Sequence, residues 1–259
     1  MGQLIASWSP IQGKSGVTTN TAVLATLAAI TKPYASLLIN ASNNPNVLEK
    51  YVKDNESNDP VLSEGISGLK RLLNSNLLTP DSLPDYAENI IYNKLDLILG
   101  SELDEVQVTK LLQSAVSAYE YVWVDLKTGD NSTGKLILEQ ADLVLVHLPQ
   151  SLYDIENVLP DIKNKLKIAN KAFFIVGNYD NNANLTVKNI KRILKVKNSF
   201  HCISYSSTLK NAFNNNSLPE FLLKISKQEP FTNNTKFVQG AINIIDDMLL
   251  TLSNDRKGW

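Results

Sequence analysis

Cysteine is almost missing from this chain of 259 residues: Cys202 stands alone. That excludes an intramolecular disulfide framework, and one thiolate cannot build a metal site by itself. Histidine is nearly as scarce, with His147 and His201 the whole complement. No H-E-x-x-H, C-x-x-C or G-x-S-x-G pattern occurs, so metalloenzyme and serine-hydrolase readings have no sequence support. Charge of one sign is lacking too. Lys and Arg number 25 against 26 Asp and Glu, a net charge of −1, which argues against a general basic surface that neutralises phosphates. No window reaches the roughly 18 apolar residues of a membrane span. Met1 to Trp8 has neither the basic start nor the long apolar stretch of a signal peptide. With 43% hydrophobic and 20% charged residues, the composition is that of a folded globular chain. The expectation is a cytoplasmic α/β protein of one domain spanning 1–259.

Short apolar runs alternate with longer amphipathic ones, the pattern of βαβ units and a mainly parallel sheet with helices on both faces. Predicted strands are Leu4–Trp8, Ala35–Asn40, Leu95–Gly100, Tyr121–Asp125, Leu143–Leu148, Ala172–Asn178 and Cys202–Tyr205. Predicted helices include Thr18–Ile30, Val106–Tyr119, Asp154–Lys167, Val187–Val196 and Phe237–Leu252. The segment from Asn43 to Lys94 is irregular and rich in Asn, Ser, Asp and Pro, with helical pieces such as Ile66–Leu73. It reads either as an inserted helical excursion bearing partner-binding surface or as helices covering one sheet face.

The first strand runs into Ser9-Pro10-Ile11-Gln12-Gly13-Lys14-Ser15-Gly16-Val17-Thr18-Thr19-Asn20, and a helix follows. Strand, glycine-bearing loop and helix is the arrangement that turns backbone N–H groups and a positive helix end toward phosphates. The full G-x-x-x-x-G-K-[ST] pattern is absent. Gly13-Lys14-Ser15 spells its last three letters, but its first glycine would have to be Trp8. A second register aligns Gln12-Gly13-Lys14-Ser15-Gly16-Val17-Thr18-Thr19 with K-G-G-x-G-K-T-T, the deviant Walker A loop of the ParA/MinD ATPases of the SIMIBI class. The glycines and threonines match. Gln12 and Val17 stand where the signature and phosphate lysines belong, and Lys14 replaces a glycine, from where its charge can swing toward phosphates.

Further segments resemble the same family in order. Leu37-Leu38-Ile39-Asn40-Ala41-Ser42 is similar to the V-D-x-D strand and switch I, with Asn40 and Ser42 in place of the acids. Tyr121-Val122-Trp123-Val124-Asp125-Leu126-Lys127-Thr128-Gly129 resembles the Walker B strand and switch II, with Lys127-Thr128 where the family has a proline pair. Ala141-Asp142-Leu143-Val144-Leu145-Val146 and Phe173-Phe174-Ile175-Val176-Gly177-Asn178 resemble two later strands. Ile203-Ser204-Tyr205 with Leu209-Lys210-Asn211-Ala212-Phe213 resembles the I-P-y segment and the helix after it. The resemblance covers Leu4 to about Leu223. Within the family the loop, opening on Ser-Pro and running to Thr18-Thr19-Asn20, is most similar to the TadZ/CpaE-like pilus-assembly localisation proteins. Those usually carry a receiver-like domain before the ATPase domain, and this chain is expected to lack it.

The resemblance implies a doubly wound P-loop fold. It also implies a site for ATP or ADP with Mg²⁺ built from Gly13, Lys14, Ser15, Gly16, Val17, Thr18 and Thr19. Thr18 and Asp125 fall on the Mg²⁺ side, and Asn178 on the adenine edge. Phosphoryl transfer is catalysed mostly by positioning and charge stabilisation, so the missing lysine and acids imply weak or absent hydrolysis with binding retained. The implied role is a localisation or assembly factor for a pilus or secretion apparatus, working through protein partners at a membrane-associated assembly. A homodimer is left open, although Gln12 cannot carry the charge that reaches a partner's nucleotide. The alternatives are a partition ATPase that binds DNA and a nucleotide-free scaffold. Lys188, Lys191, Arg192, Lys195 and Lys197 form the strongest basic cluster, and a solvated helix face is the simpler reading of it. His147 is expected to be structural or capping, and His201 a strand-packing residue. The tail with Asp246-Asp247 reads as packed on the sheet rather than membrane-bound.

Overall fold

A computed structural model describes residues 1–42, 45–53, 65–100, 103–126, 131–157, 170–228 and 232–256. Along the chain these form β1 (Gln3–Trp8), α1 (Val17–Thr31), β2 (Ser36–Ala41), α2 (Pro45–Val52) and α3 (Gly65–Ser75). A 3₁₀ turn (Leu83–Tyr86) leads to β3 (Glu88–Ile91), β4 (Leu95–Leu99), α4 (Glu105–Ala118), β5 (Tyr121–Leu126), α5 (Ser132–Gln140) and β6 (Leu143–Leu148). A helical stretch at 152–157 precedes β7 (Ala172–Tyr179). Then come α6 (Val187–Leu194), β8 (Phe200–Ser204), α7 (Ser207–Asn214), α8 (Leu218–Ser226) and α9 (Asn233–Arg256).

The eight strands make one sheet in the order β3-β4-β2-β5-β1-β6-β7-β8. Every neighbouring pair is parallel except β3 with β4. The apolar runs predicted from sequence are these strands, because a parallel strand covered on both faces excludes water from successive side chains. β3 was not predicted. Its Glu-Asn-Ile-Ile sequence is half exposed at the sheet edge and offers no apolar run. Helices pack on both faces, giving the doubly wound α/β architecture expected. One core gathers residues of α3, α4, α5 and α6 under Leu4, Val122 and Phe174. The other gathers α1, α2, α7, α8 and α9 over Ile5, Trp123 and Phe173. The described helices of the 43–94 segment thus lie one on each face, α2 in the second core and α3 in the first. From residue 158 on, the predicted Asp154–Lys167 helix lies outside the described residues.

α1 is buried nearly all round, from Val17 through Ala29. A helix apolar on every side must be surrounded, and α2, α8 and α9 pack against it. Its N-terminus therefore emerges at the carboxyl ends of β1, β5 and β6. At that edge of an open α/β sheet, loops form crevices where strand order reverses. Among the described residues no helix is long and apolar enough to cross a membrane.

Candidate functional site

The loop from β1 to α1 turns on two glycines in the left-handed region, Gly13 (φ 86°) and Gly16 (φ 69°). Gly16 is the N-cap of α1 and offers no side-chain cap. α4, α5, α6 and α7 are treated differently: Asp104, Asn131, Thr186 and Ser206 each accept a hydrogen bond from their helix's first turn. The first N–H groups of α1 are thus left to the loop, and no acidic residue occupies its first turn. A helix N-terminus with free donors and a positive dipole end favours an anion.

Thr18, in the first turn, donates its hydroxyl to Asp125 Oδ2 at 2.9 Å. Asp125 sits at the end of β5, between Ser7 of β1 and Asn40 of β2 in the register. It is fully buried, and its other oxygen, Oδ1, has no hydrogen-bond partner among the described residues. Burial pushes its carboxyl up to about 7, while the Thr18 and Ser42 hydroxyls pull the other way. A buried carboxylate with one oxygen unpaired among the described residues is costly to ionise, and the Thr18 and Ser42 hydroxyls offset only part of that cost.

A second polar chain braces the loop from below. Asn20 donates its amide N–H to the Ser15 carbonyl (3.4 Å), and the same nitrogen lies 3.2 Å from His147 Nδ1. An amide oriented by Ser15 makes His147 Nδ1 the acceptor and puts the ring proton on Nε2, which has no partner among the described residues. Burial lowers His147 to about 3, so the ring is neutral. β7 closes the arrangement: a Cβ on Gly177 would lie 2.4 Å from the Ser15 carbonyl oxygen.

The loop residues named from sequence therefore meet, but not all in the roles expected. Gly16, Thr18 and Asp125 converge. Val17 is buried, and its carbonyl accepts from Thr21. Thr19 lies in the first turn of α1. Lys14 does not point into the loop; its Nζ lies 3.3 Å from both carboxylate oxygens of Asp154. Asn40 is buried, and its Oδ1 accepts from the backbone N–H and hydroxyl of Ser42. Lys127, Thr128 and Gly129 fall outside the described residues. His201 stacks on Phe173 at 4.7 Å and 5°, the packing role expected. Sequence reasoning assigned no role to Asp154, Asn20's amide or Gly177, and nothing local to those positions marks them.

Asn178 follows Gly177 with φ 49° and is exposed. Its amide nitrogen would be 3.6 Å from a Cβ on Gly16. From there a cleft of about 700 Å³ opens along Asn178, Asn182, Ser204, Tyr205, Lys236 and Phe237. Among the described residues no cluster of three or more His, Cys, Asp or Glu side chains is placed to hold a metal.

No protein-family model and no curated protein matches the sequence. Solved structures do match the fold. A ParA family ATPase from Chlorobium tepidum TLS superposes with a TM-score of 0.69 at 17% identity, over 93% of this chain and 98% of the other. A chain of the MinC:MinD cell division protein complex from Aquifex aeolicus is similar over 95% of this chain and 96% of its own length, at 19% identity and a TM-score of 0.67. A putative plasmid partition protein from Borrelia burgdorferi B31, bound to AMPPNP, covers 95% and 99% at 17% identity and a TM-score of 0.64. The fold is that of the ParA/MinD ATPases.

Proposed function

We propose that this chain is a ParA/MinD-like nucleotide-binding protein that holds ATP or ADP with Mg²⁺ and hydrolyses it weakly or not at all. The observation that carries the reading is the Thr18–Asp125 pair beneath the uncapped start of α1, with Asp125 Oδ1 buried and unpartnered among the described residues. A hydroxyl and a carboxylate are the hard oxygen donors Mg²⁺ takes, and this ion is usually held by one or two protein groups plus phosphate oxygens and water. The donor set fits it. When bound, Mg²⁺ would neutralise phosphate charge there. Gly13 and Gly16 let backbone N–H groups approach phosphates closely. Asn178 offers an amide to a base edge at the head of the cleft, which the AMPPNP bound by the Borrelia protein supports by analogy.

Hydrolysis is another matter. Val17 supplies no charge, and the Asn40 amide is spent on a turn and cannot act as a carboxylate. Loss of one preorganised donor costs roughly 2.7–4 kcal/mol of barrier in a comparable case. Binding without efficient turnover suits a localisation or assembly factor for a pilus or secretion apparatus of the TadZ/CpaE type, acting through protein partners. The Aquifex complex of MinD with MinC supports partnership of that kind.

The test is thermal unfolding with millimolar Mg²⁺–ATP, ADP or a non-hydrolysable analogue. At about 100 times Kd a ligand specific for the folded state adds about 2.7 kcal/mol. For a chain of this size that is a rise of roughly 5–10 °C. No rise with any nucleotide leaves a scaffold with an ATPase fold. A second reading, DNA partition, has one observation in its favour: Lys188, Arg192 and Lys195 are exposed along and just past α6. It requires salt-sensitive DNA binding that neutralising Lys188, Lys191 and Lys195 abolishes. DNA binding that survives those changes, or no binding, counts against it.

A further inference from the structure

Between Ser9 and Asn20 the only basic residue is Lys14, and its Nζ is engaged by Asp154 from the 152–157 helical stretch. The two partners are unequally held. The Lys14 side chain is 65% exposed and that of Asp154 only 13%. The Asp154 backbone N–H also bonds the Ser151 hydroxyl at 3.3 Å. The aspartate is the fixed end of the pair and the lysine the movable one, on a flexible four-carbon stem. Lys14 also leaves a hinge with room to turn: Gly13 has φ 86°, and apart from its own residue and its chain neighbours no heavy atom among the described residues lies within 4 Å of where its Cβ would be. The site whose phosphate-lysine position is filled by Val17 thus has one cation on its own loop, parked on a carboxylate beside it.

We propose that the Lys14–Asp154 ion pair is a latch on the nucleotide site: Asp154 competes with a bound polyphosphate for Lys14, and Lys14 provides the phosphate-facing charge that Val17 cannot. This rests on the nucleotide reading above. A polyphosphate carries several negative charges against the single charge of Asp154. The exposed ion pair it must break is a weak one, worth a few-fold in affinity at most. The latch therefore tunes affinity rather than blocking the site. It also ties affinity to an ion pair between segments far apart in sequence, 140 residues from loop to helix.

Calorimetric titration of the full chain with Mg²⁺–ATP, in the native protein, Asp154→Asn, Lys14→Gln and the double variant, tests this. Asp154→Asn is expected to tighten binding about two- to fivefold, the range of an exposed ion pair, and Lys14→Gln to weaken it. The gain from Asp154→Asn should vanish in the Lys14→Gln background. A gain that persists there means that Asp154 only repels the phosphates, and the latch is overturned. So does an Asp154→Asn affinity equal to or weaker than the native one, because Asp154 then positions Lys14 or does nothing. Native binding with either of those results sinks the latch alone. Absence of binding in all four, and in Val17→Lys, sinks the nucleotide reading with it. Asp154→Ser serves as the second variant if the amide perturbs folding, as read from the midpoint without nucleotide.

Discussion

On the face of the sheet under α3, α4, α5 and α6, the strands bury Leu4, Ala6, Val122, Val124, Phe174 and Val176, all apolar. On the opposite face, under α1 and α9, the same strands bury Ile5, Trp123, Leu145 and Ile175. By strand alternation Gln3, Ser7, Ser36, Asn40, Asp125 and His147 also fall on that second side. Each of these polar residues is buried, and Ser7, Asp125 and His147 keep polar atoms without partners among the described residues. One face is packed for stability. The other gives up some of it at the carboxyl edge of the sheet, where α1 begins. Buried polar groups without partners cost free energy that packing elsewhere must offset, and such local conflicts collect at functional sites.

The comparison can be broken by substitution on each side. Phe174→Ala removes a fully buried ring stacked on Phe200 at 5.3 Å. It should cost about 3–5 kcal/mol of stability while leaving the nucleotide-dependent increment in unfolding free energy unchanged. Loss of that increment would mean that the two faces are not separable.

The next largest effect is a matter of pH, in metal-free buffer. The Asp125 carboxyl rises from 3.8 to about 7 on folding. The folded state keeps a proton that the unfolded state has released, so this stability is present below about pH 4 and is lost as pH rises through 7. His147 falls from 6.5 to about 3, so its contribution is present above pH 6.5 and lost as pH falls toward 3. The two slopes oppose each other over the same window. Stability of Asp125→Asn should therefore rise with pH between about 4 and 6.5, and that of His147→Gln should fall, each by an amount on the order of a few kcal/mol. Parallel profiles in the two variants would refute the assignment. Smaller again is Gly177→Ala. Its methyl group would meet the Ser15 carbonyl at 2.4 Å, costing about 1–3 kcal/mol as overpacking and displacing the loop. Nucleotide affinity should drop more than stability, read by calorimetry beside denaturant melts.

How much of this was legible from sequence follows from what each feature depends on. Seven strands were found within one or two residues: six are largely buried on both faces, which writes itself as an apolar run, and the half-buried edge strand β8 still carries the apolar pair Cys202–Ile203. β3 escaped because its four residues, Glu-Asn-Ile-Ile at the sheet edge, are nowhere fully buried and open on two polar side chains. Gly13, Gly16 and Thr18 could be picked out because a glycine loop sits between a strand and a helix, whereas Asp125 was singled out only by the resemblance of its strand to the Walker B strand of the ParA/MinD family. The Asn20–His147 contact spans 127 residues and the Lys14–Asp154 pair 140. Both depend on β1 pairing with β6, an adjacency that no local spacing encodes. The role of Gly177 likewise appears only when β7 approaches the Ser15 carbonyl.

The most direct measurement of the central claim is thermal unfolding of the native protein and Asp125→Asn at pH 7.5, each with and without Mg²⁺–ATP. Replacing a buried carboxylate, one of whose oxygens has no partner among the described residues, by a neutral amide should raise the midpoint of the nucleotide-free protein. The same change should remove the ATP-dependent rise of roughly 5–10 °C that the native chain displays at about 100 times Kd. Stability and binding would then trade against each other at a single residue, as expected of a group kept for a ligand. A native midpoint indifferent to ATP, or an Asp125→Asn protein that responds to ATP as the native one does, would contradict the account.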